Sequence, residues 1–195
     1  MMLSLMERLA RVMAVLGGLV LTFLVVLTCA SVLGRGLNTL GHSAFLTSLS
    51  EGAGGALLST GVAPITGDFE LVEAGIAFAI FAFLPYAQLH HGHATVDIFA
   101  TAFPRWFNRF LIVFWEFVLS AVILLITWRL YAGMEGKMSN GETTFLLQFP
   151  VWWAYAASFV AAVAASIVGI YCAIARVLDV VTGRSHLPNS EGAHH

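Results

Sequence analysis

Glu116 is the residue whose chemistry most needs explaining, because it lies in the middle of the long apolar stretch between Arg109 and Arg129. An ionisable group inside a bilayer is costly and rarely faces lipid. Such an acid is protonated, paired with a basic group, or turned toward a polar contact with another helix or subunit. No arginine or lysine falls at comparable depth in the other apolar stretches. The favoured reading is therefore an interface contact, with a proton-coupling site as the sharper alternative. Glu73 and Arg35 stand at the ends of two other stretches and could pair at headgroup level. Two independently solvated charges read almost as well. His90, His91 and His93 cluster at one edge, whereas a b-type haem needs axial histidines on facing helices, so haem is not expected. A metal ion there would find only Asp97 as a further ligand. Cys29 and Cys172 fall at different depths, which argues against a redox pair. The sequence contains no P-loop, dinucleotide fingerprint, nucleophile elbow or H-E-x-x-H pair. Neither enzymatic activity nor a cofactor is expected.

Elements that cross a membrane must position these residues. Of the 195 residues, 59% are hydrophobic and only 10% are charged, against about 25% charged in a soluble domain. So few charges cannot coat a water-facing globule. A net charge of −2 excludes the basic face that nucleic acid requires. A helix needs roughly 20 apolar residues to cross a bilayer, and four stretches qualify, at about 12–34, 68–89, 106–128 and 150–175. Barrel strands would be shorter and alternating. The expected fold class is an all-α integral membrane protein with four transmembrane helices, forming a single domain over 1–185 with a flexible polar tail over 186–195. The first stretch exceeds the apolar core of a cleaved signal and is read as a retained anchor.

Basic residues set the orientation. With the N-terminus inside, Arg8, Arg11, Arg105, Arg109, Arg176 and Arg184 are cytoplasmic, and Arg35, Arg129 and Lys137 are outside. That bias places both termini in the cytoplasm. Trp128, Trp152 and Trp153 are expected at the outer interface and Trp106 at the inner one. Pro104 and Pro150 suit the first turns of the third and fourth helices. Asp68 and Glu70 suit the N-terminal dipole of the second, and Pro85 predicts a kink in it. Ala94–Phe103 reads as a short interfacial helix. From about 38 to 66 the chain is rich in small residues yet apolar, which predicts an element resting on the outer surface. Ala157, Ala161, Ala165 and Gly169 repeat every four residues on the fourth helix, a stripe that lets backbones approach closely. It serves either packing within this chain or docking on a second protein.

Several segments together resemble a known family. They are Gly67-Asp68-Phe69-Glu70-Leu71-Val72-Glu73 entering the second span and Gly92-His93-Ala94-Thr95-Val96-Asp97 at its exit. Arg35 ends the first span, and Gly141-Glu142-Thr143-Thr144 precedes Pro150-Val151-Trp152-Trp153. In order and spacing these resemble the small membrane subunit (DctQ type) of tripartite ATP-independent periplasmic, or TRAP, transporters over most of residues 8–180. The resemblance implies an inner-membrane protein that supports a large M-type membrane subunit. That large subunit would carry the solute and sodium sites. A periplasmic solute-binding protein would deliver the solute, often an organic acid, with import driven by an ion gradient. Phospholipid would surround the complex. Arg35, Glu73, Glu116 and the small-residue stripe would then be scaffold or interface residues, and Asp68 and Glu70 would face the docking binding protein. One departure from the pattern is the separation of Arg35 from Gly67 by 31 residues. The extra portion, roughly Asn38 to Ser59, is predicted to touch a partner. The rival reading is a stand-alone homo-oligomeric transporter using Glu116 or Glu73 as its proton site.

Overall fold

The computed structural model describes residues 2–42, 65–90 and 105–182, with the side chains of 105–110, 112 and 180–182 left out. The motif residues Gly92, His93 and Asp97, the expected interfacial helix over 94–103, most of the 38–66 element and the tail over 186–195 lie outside the described residues. Among the described residues there are four helices: α1 (Met2–Gly41), α2 (Asp68–Leu89), α3 (Arg105–Asn140) and α4 (Trp152–Thr182). Each is long and apolar enough to cross a membrane. Among the described residues the only extended pairing is one isolated bridge between Thr143 and Pro150.

Three helices run past the expected limits. At 1.5 Å per residue, α1 is about 60 Å long and α3 about 54 Å, well beyond a hydrocarbon core of about 30 Å. Hydropathy marks where charges begin, not where the backbone stops being helical. Beyond the lipid the i to i−4 bonds persist, with Arg8, Arg11, Arg35 and Lys137 carried on helical turns. Asn38–Gly41 thus completes α1 instead of opening the outer element. Pro150 sits just before α4 and not in its first turn, and its carbonyl accepts the Trp153 N–H at 3.1 Å. Helix α2 continues through the buried Pro85 to Leu89.

The helices form an open row in the order α1–α2–α4–α3. Helix α1 packs on α2, α2 on α4, and α4 on α3; among the described residues α1 touches α4 only slightly, and α3 packs along neither α1 nor α2. One face of α4 carries Ala161, Ala164, Val168, Cys172 and Ala175. They pack with Met13 and Ala10 of α1 and Ala82 and Leu89 of α2. The opposite face meets α3 through small polar groups. The Ser120 hydroxyl donates to the Gly169 carbonyl at 3.0 Å, and Thr127 Oγ1 lies 2.9 Å from Ser166 Oγ. Interhelical hydrogen bonds and close approach of small residues supply the attraction that hydrophobicity cannot provide in lipid. Of the expected stripe, Ala161, Ala165 and Gly169 are buried within the chain, while Ala157 is exposed.

These contacts also fix depth. The Ser120–Gly169 bond and the Tyr131–Phe159 ring contact at 5.6 Å set the antiparallel register of α3 and α4. Trp128 is thereby level with Ala161 and Ala162, about 13 Å deeper than Trp152 by helical rise. The three tryptophans therefore do not form one belt. The same register puts Glu116 level with Ala173, and within one turn of Arg176. The expectation that no basic residue reaches the depth of Glu116 is thus corrected: α3 extends so far past Trp128 that Glu116 lies alongside the last turns of α4.

Candidate functional site

The end of the row where α1 and α3 finish and α2 and α4 begin carries most of the charged chemistry. Gly67 starts it. Its φ of 79° is left-handed, a region that glycine enters without the clash a Cβ would cause. The turn lets the chain double back beneath the α3–α4 loop. A Cβ on Gly67 would stand 2.4 Å from Leu147 Cγ, so the absent side chain is also a packing requirement.

Asp68 follows as the first residue of α2. Its Oδ2 accepts from Arg35 at 2.7 Å, and its Oδ1 accepts the Phe69 N–H at 2.9 Å. Arg35 therefore ties α1 to Asp68, which corrects the expected pairing of Arg35 with Glu73. The reason is angular. Glu73 is five residues on, about 140° around the helix at 3.6 residues per turn, and faces away from α1. Glu70 is two residues beyond Asp68, and its carboxylate accepts the Leu146 N–H at 2.7 Å and the Leu147 N–H at 2.9 Å. Both oxygens of Glu70 are thus engaged within the chain, and Asp68 is engaged by Arg35. Phe69, between them, is 73% exposed.

The loop that Glu70 holds has its own order. Gly141 ends α3 with a φ of 64°. The Thr144 N–H donates to the Phe149 carbonyl at 2.9 Å and the Val151 N–H to the Glu142 carbonyl at 3.0 Å. Gln148, also at positive φ, donates through Nε2 to the Phe145 carbonyl at 2.9 Å. Lys137 Nζ donates to Glu142, and so does the Asn140 amide. Among the motif residues, Glu142 closes the loop onto α3, Thr143 and Pro150 bridge it, and Trp152 opens α4 against Trp153. The structure brings Arg35, Gly67, Asp68 and Glu70 together with the 142–151 loop. It leaves Glu116, Ala161, Ala165 and Gly169 deeper in the row.

Between α2, α4 and this loop lies an open cleft of about 430 Å³, lined by Glu70, Glu73, Lys137, Glu142, Tyr155 and Ser158 among others. Lys137, Tyr155 and Ser158 were not singled out from the sequence. Lysine beyond a span reads as a solvated charge, and a serine within one reads as packing. Only the packing of α2 and α3 against α4 shows that they line one cleft.

The Lys137 ammonium, and then the Asn140 amide, hold the Glu142 carboxyl below its ordinary value of 4.5, against burial that raises it. A carboxylate depressed in the folded state contributes stability that is present above its unfolded pKa and lost as pH falls through the folded one. Protection of the Thr144 and Val151 amides from hydrogen exchange is therefore expected to hold from neutrality down to pH 4.5 and to fall below it. Glu142→Gln should shrink the acid-side drop to the share left to Glu70, whose carboxylate accepts from the Leu146 and Leu147 N–H groups of the same loop. The same acid-side drop in that variant would contradict the assignment.

A family model described as tripartite ATP-independent periplasmic transporters, DctQ component, matches residues 24–179. No curated protein and no solved structure matches the chain.

Proposed function

The chain belongs to the DctQ-component family of tripartite ATP-independent periplasmic transporters, and from that premise we propose that it braces the large M-type subunit of such an importer. It is a small, multi-pass membrane subunit of a transporter. In the proposed complex the large subunit carries solute and sodium, and a periplasmic binding protein delivers the solute, an organic acid. This chain supplies anchored surface without a cofactor. Both termini are cytoplasmic, as the basic residues indicate, so the Gly67 end faces the periplasm.

The observation that carries this reading is the open row. Half of the apolar window of α4 is buried against its neighbours, but only 11–17% of the windows of α1, α2 and α3. A self-sufficient transporter would enclose a path. A row one helix thick instead presents two broad faces, suited to widening another protein in the bilayer. Glu116 fits the same account, lying beside Arg176 at the α3–α4 seam instead of in a passage.

Two measurements test the proposal. Affinity-tagged chain is expected to co-purify with the co-expressed large subunit and, alone in liposomes, to move no solute. Transport by the isolated chain would favour the proton-coupled rival. Glu116→Gln is expected to leave uptake by the assembled complex nearly unchanged. Abolished uptake with normal assembly would make Glu116 a coupling site.

A further inference from the structure

The cleft at the Gly67 end contains an acid that the scaffold role does not use. Of its carboxylates, Glu70 is held by the Leu146 and Leu147 N–H groups, and Glu142 by Lys137 and Asn140. Glu73 has neither a hydrogen bond nor an ion pair among the described residues. Ser158 of α4 lines the same cleft, is only 2% exposed and makes no hydrogen bond to a described residue. A carboxylate and a hydroxyl that line one cleft without partners among the described residues leave their acceptor oxygens open to a polar occupant.

The shape and charge of the cleft restrict that occupant. The acids do not converge as a metal site would; no group of three potential ligands among the described residues could hold an ion. The volume of about 430 Å³ falls in the range of organic ligand sites. Glu73 shares the lining of the cleft with Lys137, whose side chain is 33% exposed and has donors beyond the one given to Glu142. Glu135 and Lys137 on the flanking turns of α3 are charged, which suits the polar edge of a bilayer and not its hydrocarbon. Ala74, Ala77 and Ala154 make its remaining wall apolar.

We propose that this cleft binds the headgroup of a phospholipid bearing a primary ammonium, as in phosphatidylethanolamine. The ammonium donates to the Glu73 carboxylate and Ser158 Oγ, and the phosphate lies toward Lys137. The acyl chains leave along the exposed apolar surface of the row. The inference goes beyond the bracing role and does not depend on it.

Native mass spectrometry of the full chain, alone and in complex with the large subunit, tests it with three lipids of identical acyl chains. Phosphatidylethanolamine is expected to be retained about tenfold more tightly than phosphatidylglycerol, which lacks the cation, and more tightly than phosphatidylcholine, which lacks the N–H donors. Glu73→Gln should remove the preference over phosphatidylglycerol. Ser158→Ala should narrow the preference over phosphatidylcholine. Glycerophosphoethanolamine, which has no acyl chains, should compete weakly; competition equal to that of the lipid would assign the site to a free amine. Equal retention of the three lipids, a preference that survives Glu73→Gln, or loss of the site once the large subunit is bound would overturn the proposal. The co-purification test above can succeed or fail independently of each of these results.

Discussion

Gly67→Val is expected to loosen the Gly67 end of the molecule more than any substitution of a charged residue there. Two effects combine. A residue with a Cβ held at a φ of 79° costs about 1–2 kcal/mol relative to glycine, and β-branching adds to it. Separately, the new Cβ would stand 2.4 Å from Leu147 Cγ and within 2.9 Å of both its Cδ atoms. Leu147 would have to leave, and overpacking of this kind costs about 1–3 kcal/mol more. Because the Leu147 N–H is one of the two held by Glu70, moving the side chain also disturbs the anchor of the loop. The expected results are a lower thermal midpoint in detergent and faster proteolysis within 142–151. Gly67→Ala separates the two causes when combined with Leu147→Ala. The double variant should recover the steric part of the loss and retain the conformational part. A neutral Gly67→Ala would show that the turn is not held at positive φ in the membrane.

This junction explains why the Gly-Asp-Phe-Glu segment is arranged as it is, and also why the sequence could not reveal its wiring. The motif was legible as an entry to a helix, with acids at the positive end of a dipole. What each acid holds depends on which loop folds over it. Asp68 and Glu70 are two residues apart, hence about 200° apart around α2, and serve different neighbours: Arg35 of α1 and the backbone of the α3–α4 loop. Nothing in the local sequence says that residues 146 and 147 return to this point. Depth puts Glu73 within possible reach of Arg35, but depth does not determine the side of a helix.

The spans themselves were legible because lipid demands long apolar runs. Their neighbours were not. In water the apolar stripe of a helix identifies its buried face, but in lipid the exposed face is apolar too. On α1, Leu19, Phe23 and Val26 are as apolar as the buried Met13 and Leu24. The row α1–α2–α4–α3 follows instead from small residues, and these were visible on α4 alone. Even there the stripe at every fourth residue gave only part of the pattern. The helix uses two faces, one with Ala161, Val168 and Cys172 toward α1 and α2 and one with Ser166 toward α3, and Gly169 lies between them against Gln88 of α2 and Ser120 of α3. A helix that is small on two sides is the one that can stand between neighbours, which is why α4 occupies the inside of the row.

Gly169→Leu attacks that central position and is expected to split the molecule into an α1–α2 pair and an α3–α4 pair. A Cβ at Gly169 would sit 3.1 Å from Gln88 Nε2, 3.2 Å from its Oε1 and 3.5 Å from Ser120 Oγ. Gln88 is only 1% exposed, so its amide has no open space to retreat into. Alanine would require a shift of a few tenths of an ångström. Leucine would have to drive α2 off α4, since those helices make the one broad contact between the two pairs. The cost is expected in the usual range of about 1–3 kcal/mol for overpacking. The two native cysteines report the outcome without further engineering. Cys29 is exposed, whereas Cys172 is buried against Leu89 and Ala10 on the α2-facing side of α4. With an apolar maleimide in detergent, the wild-type chain should label at Cys29 alone, and Gly169→Leu at both. Adding Gln88→Ala to Gly169→Leu opens room for the leucine and should restore protection of Cys172. If Cys172 stayed protected in Gly169→Leu itself, the α2–α4 contact would not be the joint that holds the row together.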